Sequence, residues 1–150
     1  MNGLQINVEG RPTINEPWHE YSRIRLLNLL NNHPGIVLVT GDVHHSELMK
    51  NQCYKYPIYE ITTSGLTHSV RTQWGLIYTV LMDTLQPFTY NIGPRIFIKS
   101  FASIEIKNKE ISIDLRDSDG ISLLHHKIPI SELYKPAIRS YLCGQTVEVR

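Results

Sequence analysis

The apolar residues of this chain follow two different spacings. From Tyr21 to Leu30 they recur every three or four residues, which predicts a helix over Trp18–Asn31 that a Pro-Gly pair ends. Four apolar residues in a row, 36–39, then predict a strand that is buried on both faces. A helix followed by a buried strand is typical of an α/β layer arrangement.

The middle of the chain alternates short apolar segments with polar ones. Strands are predicted at Leu4–Val8 and Tyr56–Thr63, a short apolar helix at Trp74–Leu85, and loops at Ser64–Thr72 and Gln86–Pro94. The sequence has no internal repeat, and no linker divides it. We therefore expect residues 1–150 to belong to one domain.

From Ile96 onward the apolar residues recur at every second position. Three strands are predicted, at 96–106, 111–115 and 121–130, with turns at Asn108-Lys109 and at Asp117–Gly120. Such strands form an antiparallel meander in which each strand buries one face. We expect the meander to pack on the α/β part, so that the whole is an α/β (α+β) fold.

Composition excludes several classes of protein. The 150 residues have a net charge of +1, from 15 Lys and Arg against 14 Asp and Glu, which gives no electrostatic reason to expect a nucleic-acid or membrane-surface partner. Neither a signal peptide nor a membrane-spanning stretch is visible, so the sequence leaves the location unknown. The two cysteines, Cys53 and Cys143, are interpreted as buried or idle thiols, with one long-range disulfide as the alternative.

Candidate chemistry concentrates at residues 41–47, Gly-Asp-Val-His-His-Ser-Glu, directly after the predicted buried strand. Ligands of open α/β sheets bind beyond the carboxyl ends of strands. In extended backbone, Asp42 and His44 would leave the same face, and a carboxylate with an imidazole suits a divalent metal. His45 and Glu47 would point to the opposite face unless the chain turns. The alternative is a turn-capping aspartate beside solvated histidines.

Three further groups follow from the pattern. Ser64 and His68 lie in a hydroxyl-rich segment after the next predicted strand, where they could face a phosphate. The alternative for them is a turn held by backbone hydrogen bonds. His125 and His126 lie on one predicted strand and alternate faces, so at most one of them points inward.

The segments GIVLVTGDVHHSE and YPIYEITTSGLTHS resemble the C-terminal part of PhoD-like (alkaline phosphatase D type) metallophosphatases, which belong to the calcineurin-like metallophosphoesterases. The resemblance extends upstream to the helix with Trp18, Tyr21 and Arg25, and downstream to the meander. It is weakest over 66–94. It implies the C-terminal portion of a metallophosphoesterase-like β-sandwich flanked by helices, with an antiparallel meander at the C-terminus.

The resemblance also implies a role for individual residues. The superfamily closes its two-metal site with Gly-His-x-His, and residues 41–44 resemble that motif with Asp in the first position. His44 is then a metal ligand, and Asp42 is a ligand or a close neighbour of one. His45, Ser64 and His68 are candidates for contact with substrate or with the ligands. The implied reaction is hydrolysis of a phosphoester at two divalent metal ions.

The chain also departs from the family. The family's earlier motifs, Asp-x-His, Gly-Asp-x-x-Asp and Gly-Asn-His-Asp/Glu, do not occur in residues 1–41. We therefore expect a partial domain with an incomplete metal site, inactive alone and completed by the missing N-terminal half. The alternative hypothesis is a non-catalytic module that covers its open sheet with a partner or a second copy.

Overall fold

The computed structural model describes residues 20–69, 75–77, 80, 84 and 90–138. One helix, α1 (Glu20–Asn31), begins the described part, and six strands follow: β1 (Val37–Thr40), β2 (Ser46–Asn51), β3 (Ile58–Thr63), β4 (Ser100–Lys107), β5 (Glu110–Asp117) and β6 (Ser122–Pro129). A short 3₁₀ helix, Ile130–Tyr134, comes last. The predicted strand Leu4–Val8 lies outside the described residues. None of the described helices is long and apolar enough to cross a membrane.

The first sheet has the strand order β1-β3-β2. β1 runs parallel to β3, with Thr40 beside Thr62, and β2 runs antiparallel to β3, with Glu47 beside Thr62. Residues 90–98 continue this sheet irregularly along β2, since Ser46 bridges to Ile96. The carboxyl ends of β1 and β3 therefore meet at one edge of the sheet.

The second sheet is the predicted antiparallel meander, in the order β4-β5-β6. Asn108 and Lys109 both adopt positive φ, as a two-residue hairpin turn requires. In the second turn, the Asp117 carboxylate accepts hydrogen bonds from the backbone N–H groups of Asp119 and Ile121. The predicted turns and the alternating apolar positions both correspond to this sheet, and the prediction of three meander strands is confirmed.

The two sheets pack on each other around one hydrophobic cluster. Leu48, Tyr59 and Ile61 of the first sheet lie in it with Ile113 and Leu115 of the meander. The prediction that the α/β part and the meander share a core is therefore confirmed. Over the described residues the fold is mixed α+β, built of two three-stranded sheets and few helices.

Several sequence predictions agree with the described residues, and others do not. Helix α1, strand β3 and the loop over 64–69 were predicted, and residues 75–77, 80 and 84 of the predicted Trp74–Leu85 helix are helical. β2 was not predicted as a strand. The prediction that the 36–39 segment is buried on both faces is wrong, because Val39 is 62% exposed.

The interpretation of both cysteines as idle thiols is also wrong. Cys53 is disulfide-bonded, and Cys143, the only other cysteine of the sequence, lies outside the described residues. The Cys53 sulfur lies 3.6 Å from the Tyr90 hydroxyl. The Asn51 side chain accepts a hydrogen bond from the Cys53 backbone N–H, which fixes the chain as it leaves β2.

Candidate functional site

Two loops that carry the candidate residues leave the same edge of the first sheet. β1 ends at Thr40 and continues into residues 41–45, and β3 ends at Thr63 and continues into residues 64–69. Because β1 and β3 are parallel neighbours, their carboxyl ends bring both loops together. The close approach also depends on Gly41, where an added Cβ would lie 3.2 Å from the Thr63 carbonyl oxygen.

The Ser64 hydroxyl joins the two loops directly. Its Oγ accepts hydrogen bonds from the backbone N–H groups of Val43 at 2.9 Å and of His44 at 2.8 Å. Ser64 was predicted as a possible contact to substrate or ligands, and its hydroxyl here binds the loop backbone. The same loop rests on β4, since the Ser100 N–H donates to the Gly65 carbonyl at 3.3 Å.

Asp42 and His44 both adopt left-handed backbone conformations, with φ of 61° and 57°. The extended geometry assumed from the sequence is therefore wrong, because the chain turns between β1 and β2. A left-handed residue other than glycine costs about 1–3 kcal/mol, and such strain clusters at functional sites. Asp42 is exposed and His44 is half-buried, so the strained segment presents a carboxylate and an imidazole at the surface.

His45 faces inward from the same loop, and its side chain is 4% exposed. Its Nδ1 lies 2.8 Å from the Val43 carbonyl oxygen, and its Nε2 lies 3.1 Å from Glu47 Oε1. Both neighbouring oxygens can accept hydrogen bonds, so the two ring nitrogens hold the imidazole between the loop backbone and a carboxylate. The face of the ring also approaches Phe97, with centroids 5.6 Å apart.

Glu47 is a buried carboxylate that links this histidine to residues 90–98. Arg95 Nε lies 2.9 Å from Glu47 Oε2, and the Asn91 amide donates to the same oxygen. Burial alone would raise the pKa of Glu47. The hydrogen bond and charge of His45, the charge of Arg95 and the hydrogen bond from Asn91 outweigh it and lower the pKa from 4.5 to about 2. The carboxylate is therefore ionised at neutral pH.

A second set of buried polar side chains lies beside this carboxylate on the same face of the sheet. Thr40 Oγ1 donates to Glu60 Oε1 at 3.0 Å and lies 3.0 Å from the Thr62 hydroxyl. Since Thr40 has one hydroxyl proton, Thr62 donates to Thr40. Thr62 pairs with Glu47 across the strands, so a continuous polar layer lies beneath the two loops.

Three further histidines of the described residues each have surroundings of their own. The exposed His68 ring lies 3.1 Å from the hydroxyl of its neighbour Thr67. On β6, His126 packs at 6.2 Å from the Tyr59 ring, and burial lowers its pKa, whereas His125 is exposed. The prediction that at most one of these two points inward is confirmed.

Arg95 and Asn91 were not singled out from the sequence, and Glu47 was noted without a partner. His45 and Glu47 were predicted to share one face, and the structure brings their side chains together where the chain enters β2. No local signal marks Arg95, which lies 48 positions from Glu47 and reaches it through the fold.

The donor set of the exposed segment suits a divalent cation only in part. A carboxylate and an imidazole are both common ligands of first-row divalent metals, and a stable site needs three or four protein ligands. Within the described ranges, no three His, Cys, Asp or Glu side chains form a group that could hold a metal. Asp42 and His44 by themselves offer two side chains of suitable type.

No family model matches the sequence, and no curated protein matches it significantly.

Proposed function

We propose that this chain is the C-terminal part of a PhoD-like metallophosphatase and contributes Asp42 and His44 to a site that hydrolyses phosphoesters. In this proposal the two sheets are the C-terminal portion of a metallophosphoesterase-like β-sandwich. The single observation that carries it is the strained segment at the carboxyl end of β1, held by Ser64 from the end of β3. Strain at two candidate ligands in such a position favours a site over an ordinary turn.

The roles of the residues follow from where their polar atoms lie. The exposed Asp42 carboxylate and the half-buried His44 imidazole would hold a divalent metal. Bound metals supply an activated water and stabilise charge on phosphoryl oxygens. Ser64 holds the loop, and His68, exposed on the loop after β3, would contact an anionic substrate.

Activity of the complete native protein tests the proposal. His44→Ala should remove most hydrolysis of an aryl phosphodiester, because it deletes a metal ligand and leaves the loop backbone intact. His125→Ala is the matched control, since His125 is an exposed histidine on β6. A wild-type rate in His44→Ala would contradict the proposal.

Metal binding can be tested on the 150-residue chain itself. Added Mn²⁺ should broaden the NMR signals of residues 41–45 and 64–68, and His44→Ala should abolish that broadening. Equal broadening in His44→Ala would show that the ion binds elsewhere.

A second candidate function is a non-catalytic, partner-binding module. It is favoured by exposed apolar side chains that point to the inner side of the two sheets: Val39 on β1, and Ile104 and Ile106 on β4. In the described part of the chain, β1 and β4 are both edge strands, and edges invite pairing with another chain. A cooperatively folded monomer by sedimentation would count against this module. An immunoblot band well above 17.3 kDa would favour a longer enzyme.

A further inference from the structure

The peptide unit between Val43 and His44 is held at both of its polar atoms. Its carbonyl oxygen lies 2.8 Å from His45 Nδ1, and its N–H donates to Ser64 Oγ at 2.8 Å. The orientation of this peptide plane sets the φ angle of His44, which is 57°. The two contacts therefore determine where the His44 side chain leaves the backbone.

The contact from His45 is itself held by a chain of buried groups. Glu47 Oε1 lies 3.1 Å from His45 Nε2, and Arg95 Nε lies 2.9 Å from Glu47 Oε2. The side chains of His45, Glu47 and Arg95 are each 5% exposed or less. A histidine with one nitrogen on a carboxylate has a fixed ring orientation.

We propose that His45, Glu47 and Arg95 form a positioning relay that orients the backbone at His44, so that Glu47 and Arg95 act on His44 through His45. The inference rests on the proposed function in one respect, which is that His44 binds a metal. His45 takes no part in substrate contact in this arrangement, because its ring is buried and both of its nitrogens face protein acceptors.

A purely structural role for the ion pair makes a different prediction. Strand β2 carries a second ion pair, in which Lys50 Nζ lies 2.7 Å from Glu132 Oε1 and joins the sheet to the 3₁₀ helix. That pair stabilises packing without touching residues 41–45. If the Glu47–Arg95 pair only stabilised packing, its removal would raise amide exchange throughout residues 41–45. Exchange at His44 would then rise no more than at its neighbours.

Amide hydrogen exchange, measured without metal in a double-mutant cycle, distinguishes the positioning role from the purely structural role. His45→Phe removes both ring nitrogens and keeps a ring against Phe97, so exchange at the Val43 and His44 amides should rise about five- to tenfold. Glu47→Gln should raise it less. Glu47→Gln added to His45→Phe should cause no further rise at these amides, because Glu47 acts through His45.

Three comparisons complete the test. Glu132→Gln should leave the Val43 and His44 amides unchanged, and amides of β5 should stay protected in every variant. Where the double variant does not fold, Arg95→Lys keeps a positive charge beside Glu47 and should raise exchange at the same two amides alone. Additive effects in the cycle, or equal effects of Glu132→Gln, would overturn the relay.

Titration with Mn²⁺ distinguishes failure of the relay from failure of the proposed function. His45→Phe should raise the Mn²⁺ concentration needed to broaden the signals of Asp42 and His44 about tenfold. Loss of a residue that orients a metal ligand has an effect of this size. Unchanged Mn²⁺ broadening and unchanged exchange in His45→Phe would overturn the relay and leave the metal proposal standing. Altered exchange in a chain that does not bind Mn²⁺ would support the relay and contradict the metal proposal.

Discussion

The Ser64 hydroxyl oxygen lies 2.8 Å from the backbone nitrogen of His44, although 20 positions separate the two residues. The contact ties the loop after β1 to the loop after β3. It also satisfies a backbone N–H at a left-handed residue, where regular secondary structure offers no partner. The local geometry of the candidate site therefore depends on a residue from another strand.

Ser64→Ala should destabilise the protein by about 1–2 kcal/mol, because two backbone N–H groups lose their acceptor. The loss should appear as a lower urea midpoint with an unchanged slope. Ser103→Ala, at an exposed position of β4, is the control and should have little effect. Equal midpoints for Ser64→Ala and the wild type would show that water replaces the hydroxyl at no cost.

Glu47 makes stability depend on acid pH. Its pKa is lowered from 4.5 to about 2 in the folded state, so its stabilising contribution is present above pH 4.5 and is lost as pH falls toward 2. The full shift corresponds to on the order of 3 kcal/mol. Unfolding free energies measured from about pH 5 to about pH 2 should fall with a slope that Glu47→Gln flattens.

The control for the acid experiment is Glu105→Gln, on an exposed part of β4. It should keep the wild-type slope. The same slope in Glu47→Gln and in the wild type would mean that other carboxylates account for the acid sensitivity of the fold.

The elements that could be predicted from sequence are those whose periodicity is uninterrupted. The meander strands alternate cleanly and end at Asn-Lys and Asp-x-Asp-Gly turns, and α1 carries a helical apolar stripe. Strand β2 could not be recognised in this way. Its sequence SELMKN has two apolar residues, and the burial of Glu47 depends on an arginine from residues 90–98.

Only part of the candidate site could be predicted from the sequence. A strand-end location for Asp42, His44 and Ser64 follows from sequence alone, and parallel pairing of β1 and β3 brings their ends together. The left-handed turn at Asp42 and His44 could not be inferred, because neither residue requires positive φ. It is stabilised by contacts from Ser64 and His45, which exist only in the folded chain.

Cys53 should be found in a disulfide when the protein is digested without reductant. The peptide that contains it should be joined to the peptide that contains Cys143, the only other cysteine of the sequence. Reduction should separate the two peptides and destabilise the fold by about 2–5 kcal/mol. Alkylation of Cys53 in the unreduced protein would contradict the bond.

Two isoleucines on the inner face of the meander should respond very differently to truncation. Ile113 on β5 is 1% exposed, and Ile106 on β4 is 69% exposed, although both side chains point to the same side of the sheet. Ile113→Ala should cost about 2–5 kcal/mol because it leaves a cavity between the sheets. Ile106→Ala should cost less than about 1 kcal/mol in urea unfolding of the isolated chain. The same Ile106→Ala variant then tests whether residues outside this chain cover the β4 edge. If another polypeptide covers the β4 edge, a longer native product or a partner, the variant should weaken that association. A large loss of stability in the isolated chain would instead mean that the chain itself covers Ile106.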